Sequence, residues 1–250
     1  MYIDTHCHIS KNYYDDINEV ITDSKNNGLE KIIISCCAVE DIEESLNIIN
    51  NYDNVYATFG YHPDQIDKVC DEDLKRLETL IKTNQKIVGI GEIGLDYHYG
   101  TDKEKQKKLF KEQLKIAQRL NLPVVIHSRD ATKDTIDILK MYNVSGVIHC
   151  FSGSLETANI YISMGYKLGI GGVLTFKNSK LYKVIENINL ENIVLETDSP
   201  YLTPEPYRGK TNSSKYIPII AKKLAEVKKV SIEEVAKITT NNAYLIFDLK

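Results

Sequence analysis

Eight short runs rich in β-branched and apolar residues recur along the chain: "YID", "KIIIS", "VYATFG", "KIVGIGE", "LPVVIH", "SGVIH", "KLGIGG" and "NIVLETD". They begin roughly 20 to 40 residues apart, which leaves room for one crossover helix between neighbours. Helical patterns fill the gaps. In "TDKEKQKKLFKEQLKIAQRLN" the residues Leu109, Leu114, Ile116, Ala117 and Leu120 form an apolar stripe. "DEDLKRLETLIK" and "RDATKDTIDILKMY" are shorter examples. Two more helices follow the eighth run, and Ser231 and Glu234 have capping-box spacing at the start of the last. Eight strand–helix alternations predict an α/β protein, a (β/α)8 TIM-type barrel with an extra C-terminal helix, as one domain over 1–250. A doubly wound open sheet is the competing architecture. The third and seventh strands are the weakest, because both contain glycine.

Length and composition suit that architecture. The 250 residues are 42% hydrophobic, enough for a substantial core. No apolar run approaches the roughly 20 residues of a membrane span, and no basic, apolar leader pattern opens the sequence. A cytoplasmic protein without membrane contact is the expectation. The net charge of -4 argues against a broad basic surface for duplex binding. Five cysteines without a CxxC suggest reduced thiols rather than a disulfide framework or thiolate zinc site.

"DTHCH" at 4–8 places His6 and His8 two apart on the first strand. Residues two apart on a strand share a side, so both imidazoles aim into one space while Cys7 points away. Two imidazoles buried together must each lose water and find a partner, and a shared cation solves both problems. Other strand ends add to the set. Glu92 ends the fourth run, His127 the fifth, His149 the sixth and Asp198 the eighth. In a barrel these positions meet at the C-terminal face, where active sites of this fold sit. A divalent cation would compensate the carboxylates there. By the same parity Asp4 is expected to support a histidine from below, as an acceptor behind it.

The ordered motifs resemble the TatD family of metal-dependent deoxyribonucleases, within the wider amidohydrolase-type barrels. They are "DTHCH", "GYHP" at 60–63, "GEIGLDY" at 91–97, "HSRDA" at 127–131, "HCFSG" at 149–153, "ETDSPYL" at 196–202, "RGK" at 208–210 and "TTNNAYLIF" near the end. The resemblance covers essentially the whole chain. It implies two divalent ions (Mg, Mn or Zn): His6, His8 and Asp198 on one, His127 and His149 on the other, and Glu92 bridging. Two close cations can hold a hydroxide and clamp the oxygens of an in-line phosphoryl displacement. Two such ions bring roughly +4; Glu92, Asp198 and the hydroxide remove three, and the remaining charge matches a phosphodiester anion. Glu92 and Asp198 are the expected catalytic carboxylates. Asp198 is either a ligand alone or also the general base.

Anion-binding candidates surround these strand ends. They are His62, Ser128, Arg129, and Ser152, Gly153 and Ser154 at a helix start, with Arg208 and Lys210 in the loop after the eighth strand. Tyr97, Tyr99, Tyr201 and Tyr207 are loop tyrosines on which single-stranded bases can stack. His98 reads as a loop residue, and Cys150, like Cys7, as pointing away from the metals. Many relatives read Asn-Glu-Pro after "RGK"; here the segment is Asn212-Ser213-Ser214. Family members are associated with trimming DNA from the 3′ end, so single-stranded DNA ends are the expected partner. The alternatives are another hydrolase of the class acting on an ester or amide, such as a D-aminoacyl-tRNA linkage, and a noncatalytic metal or nucleic-acid binding module. No protein partner is evident, and a monomer is the default.

Overall fold

The computed structural model describes residues 1–98 and 102–250; Tyr99 lies outside the described residues. All eight expected strands form: β1 (Tyr2–Cys7), β2 (Leu29–Cys36), β3 (Val55–Phe59), β4 (Ile87–Asp96), β5 (Val124–Arg129), β6 (Gly146–Ile148), β7 (Tyr166–Ile170) and β8 (Ile193–Leu195). They pair in parallel, in sequence order from β1 to β8. A doubly wound sheet reverses its order at a switch point, and this one never does. Hydrogen bonds also cross the seam between the last strand and the first. Thr5 Oγ1 donates to the Leu195 carbonyl (3.0 Å), Asp198 N to the His6 carbonyl (3.0 Å) and His8 N to the Ser199 carbonyl (2.7 Å). The sheet is therefore a nearly closed barrel.

Helices α1 (Ile17–Asn26), α2 (Ile42–Asn51), α3 (Asp71–Thr83), α4 (Lys103–Leu120), α5 (Thr132–Leu139), α6 (Leu155–Ser163), α7 (Leu181–Ile185) and α8 (Ile217–Lys228) follow the strands in turn; α9 (Ile232–Phe247) is the extra C-terminal helix. Ser231 Oγ accepts from Glu234 N, as the capping-box spacing predicts. No helix among the described residues is long and apolar enough to cross a membrane.

Inside the barrel, Ile3, Ile33, Tyr56, Val88, Val125, Val147 and Val194 form one apolar layer, closed from below by Ala243, Phe247 and Leu249. Each such side chain contributes about 1.5–3 kcal/mol on burial. Polar residues occupy the upper half. The strand period of two carries the chain from one layer to the other: Val125 to His127, Val147 to His149, and Val194 through Glu196 to Asp198. Helix α4 adds two buried glutamines among its apolar positions. Gln113 bonds both backbone groups of Tyr61 (2.7 and 2.9 Å), and Gln106 both those of Asp96 (2.8 and 2.7 Å).

Strand β1 departs from simple alternation. Asp4 pairs with Ile32 and Cys7 with Ile34, so three steps on β1 match two on β2. Such a bulge re-aims side chains. Asp4 supports a histidine through that residue's backbone, accepting from His6 N (3.3 Å). Its carboxylate accepts from Thr197 N (3.0 Å) and Thr197 Oγ1 (2.6 Å), bracing β1 against the segment after β8. Burial pushes this carboxyl up to about 7, against the pull of those hydrogen bonds.

Candidate metal centre

A cavity of about 760 Å³ opens at the C-terminal mouth of the barrel; its wall includes His8, Glu92, His127, His149 and Asp198. His6 is buried just behind them, 1% exposed. Four donor atoms form a tight set. His6 Nε2 lies 3.4 Å from Glu92 Oε2 and 3.8 Å from Asp198 Oδ1. His8 Nε2 lies 3.9 and 3.6 Å from the same two oxygens. Two ligands about 2.1 Å from one ion at a tetrahedral angle stand about 3.4 Å apart. Neither ring nitrogen of His6 has a hydrogen-bond partner among the described residues. A buried imidazole in that state is costly unless something binds it, and a divalent cation among these four atoms would do so.

The remaining donors gather around the other Glu92 oxygen. His127 Nδ1 lies 2.7 Å from Glu92 Oε1, and His149 Nε2 lies 3.7 Å from it. His149 also clusters with His6 and Asp198, and His62 joins Glu92 and His127. Glu92 faces both groups from a stretch of β4 that carries a register shift between Ile90 and Ile93, opposite Val124 and Ile126.

Electrostatics follow from this crowding. Burial alone would raise Glu92, yet His149, His127 and His6 hold it well below the carboxylate range. Asp198 is likewise lowered against burial by His149 and His8. Burial works against charging His127 and His149, but Asp96 and Glu92 lift the first to about 9. Glu196, Glu92 and Asp198 lift the second to about 10. His6 goes the other way, lowered by burial and by the neighbouring His149.

Two carboxylates behind the histidines escaped the sequence reading. Asp96 Oδ2 lies 3.1 Å from His127 Nε2. Glu196 Oε1 stands 3.1 Å from His149 Nδ1, close enough to attract though not aligned as a hydrogen bond, and it accepts from Cys150 N (2.6 Å). Acceptors of this kind fix a ligating ring and raise its basicity. Both were within reach of parity: Asp96 lies two pairs along from Glu92, and Glu196 falls between Val194 and Asp198. Room for Glu196 comes from Gly169 on β7, where an added Cβ would sit 2.1 Å from Glu196 Oε2. The glycine that weakened the prediction of β7 is thus what admits the carboxylate.

The expected substrate contacts divide. His62, Ser128, Arg129 and Ser152 line the cavity, and Ser154 caps α6 by accepting from Thr157 N. Arg208 and Lys210 do not line it. The Arg208 guanidinium covers the Phe176 ring at 4.0 Å and donates to the Thr203 carbonyl (3.0 Å), and Lys210 Nζ lies over Tyr207 at 5.4 Å. Of the loop tyrosines, Tyr201 reaches the wall, joined by Tyr13, which was not singled out. Tyr97 is bonded to Asp134 (2.7 Å) and Tyr207 stacks on Tyr216 at 4.9 Å. Cys7 is buried away from the cavity, its Sγ 3.6 Å from the Ile33 carbonyl. Cys150, expected to point away, forms part of the wall. Asn212, in the segment that departs from relatives, donates to the carbonyls of Thr197 (2.8 Å) and Tyr201 (2.5 Å), bracing the loop that carries Asp198.

A (β/α)8 barrel with histidines and carboxylates converging on its C-terminal mouth defines a metal-dependent hydrolase. Comparisons with known proteins narrow that class. The family model "TatD related DNase" matches residues 3–248. The chain is 41% identical over 253 residues to the uncharacterized metal-dependent hydrolase YabD of Bacillus subtilis (strain 168), covering 99% of each. It is 34% identical over 257 residues to the uncharacterized metal-dependent hydrolase YcfH of Escherichia coli (strain K12), covering 99% of this chain and 96% of the relative. The crystal structure of YjjV, a TatD homolog from Escherichia coli K12, superposes with a TM-score of 0.94 at 33% identity, covering 100% of this chain and 98% of that one. This chain belongs to the TatD family of metal-dependent hydrolases.

Proposed function

We propose that the protein is a deoxyribonuclease that hydrolyses phosphodiester bonds, trimming single-stranded DNA from the 3′ end. The observation that carries this reading is the donor set itself: His8, His127 and His149 with Glu92 and Asp198 line one cavity, and His6 lies buried just behind them. Two divalent ions (Mg, Mn or Zn) held by His6, His8, Glu92, His127, His149 and Asp198 would clamp the oxygens of a phosphodiester for in-line displacement. When bound, such ions would polarise the phosphate and lower the pKa of water.

The chain's own residues supply the rest. Asp198 is held ionised, so its carboxylate can accept the proton of an attacking water as that oxygen bonds to phosphorus. The bond to the 3′ oxygen of the shortened strand breaks, and that oxygen takes up a proton. Arg129 and Ser152, on the wall, can grip the phosphate oxygens. A cavity of this volume suits a strand end rather than a duplex.

A second reading is favoured by Asp41 and Glu44 on the same wall. They could pair with the ammonium of an aminoacyl ester, as in a D-aminoacyl-tRNA linkage. An end-labelled oligonucleotide, assayed with Mn²⁺ and with chelator, decides between them. Chelator-sensitive loss of nucleotides from the 3′ end supports the nuclease. Robust ester turnover without any cleavage of DNA supports the second reading.

A further inference from the structure

The cavity wall divides by chemistry. The loop after β1 contributes Tyr13 to one flank, and the segment after β2 contributes Asp41 and, in the first turn of α2, Glu44. They are tied together: Lys11 N donates to Glu44 Oε1 (3.0 Å). Tyr13 also reaches the loop after β8, where its hydroxyl lies 3.1 Å from that of Tyr201. The two rings meet at 72° with centroids 6.0 Å apart. They remain open to solvent, Tyr13 43% and Tyr201 51% exposed. Ser35, at the end of β2, lines the same part of the cavity, 7% exposed, and its Oγ has no hydrogen-bond partner among the described residues. Across the barrel, β5 and the loop after β6 contribute Ser128, Arg129 and Ser152, with Asp96 at the end of β4 in register with Arg129.

A flank with two carboxylates repels phosphate, while its oxygens accept hydrogen bonds from hydroxyl and amino groups. Exposed aromatic faces stack on bases. A buried, unpartnered hydroxyl marks a place for one polar atom of a ligand. We propose, on the reading that the protein is a phosphodiesterase, that the Tyr13–Asp41–Glu44 flank with Ser35 seats the terminal nucleoside of the strand and requires its 3′-hydroxyl to be free. A strand ending in a 3′-phosphate would bring a second anion against Asp41 and Glu44. The phosphates that continue along the strand instead leave over the Arg129 flank.

The test uses the Mn²⁺-loaded protein and two 5′-labelled single strands of one sequence, ending in a 3′-hydroxyl or a 3′-phosphate. Bis(p-nitrophenyl) phosphate serves as a small diester without a nucleoside. The expected result is that the phosphate-ended strand is cut about tenfold or more slowly in kcat/KM. In the Asp41→Asn/Glu44→Gln double variant, with an unchanged circular dichroism spectrum, that ratio falls at least threefold, by about the loss of one to two nearby charges. Equal rates on both strands, alongside turnover of the small diester, overturn the inference and leave the phosphodiesterase intact. An undiminished ratio in the double variant overturns the role of the two carboxylates. No turnover of either strand or of the small diester removes the underlying reading itself.

Discussion

Asp198 has its backbone in the left-handed region, at φ 54, where a side chain other than glycine costs free energy. Asn212 and the bond from Asp198 N to His6 hold it there, and the carboxylate is delivered to His6 and His8. Asp198→Asn keeps the shape but removes the charge. Turnover should drop by about a hundredfold or more, with the thermal midpoint nearly unchanged; rates near those of the native protein would take Asp198 out of the chemistry. Glu196→Gln should weaken cation binding by about 10–100-fold, the usual effect of losing a carboxylate behind a ligating histidine. Titration calorimetry with Zn²⁺ or Mn²⁺ measures it. Arg129→Ala and Arg208→Ala form a contrasting pair. The first should raise KM for a DNA strand. The second, whose guanidinium is spent on Phe176 and Thr203, should leave KM close to native.

At the scale of elements, β4 and α4 act together. The Gln106 amide closes both backbone groups of Asp96 at the end of β4, and Asp96 in turn faces His127. Gln106→Leu would leave buried backbone groups unpaired at a cost of about 1–3 kcal/mol. The urea midpoint should fall accordingly, and cation affinity should fall with it as Asp96 loosens. If stability drops and affinity does not, Asp96 is held by something other than this clip. Neither glutamine was legible beforehand, because a polar residue in an apolar stripe looks like a surface position until its partner strand is known. The histidines were legible, since the strand period alone groups His127 and His149 with the apolar layer beneath them. The bulge between Asp4 and Cys7 was not legible, because it depends on pairing with β2, which no local pattern contains.

For the whole molecule, the barrel stores charge at its mouth above an apolar plug formed by α9. With no cation bound, His127 and His149 titrate near 9 and 10, above the ordinary 6.5. Their imidazolium forms therefore stabilise the cation-free fold fully below pH 6.5, and that contribution fades as pH rises through about 9 and 10. Cation binding runs against this, since each ligating ring must give up its proton. Apparent affinity should thus climb from pH 6 to 9, and binding at pH 7 should release protons. Calorimetry in buffers of differing ionisation enthalpy checks the count; a pH-independent affinity would contradict it.

By itself, the amino-acid sequence determined the alternation of eight strands with helices, the barrel that alternation implies, and the inward side of most strand residues. All three depend on periodicity and chain length, which are local properties. Tertiary structure decided which strand-end residues share an oxygen of Glu92, and that Glu196 and Asp96 stand behind His149 and His127. It also took Arg208 and Lys210 off the cavity wall. Those outcomes depend on register shifts, on close approaches such as Gly169 to Glu196, and on where a long loop finds its partners. Each is settled only when segments far apart in the chain compete for the same space.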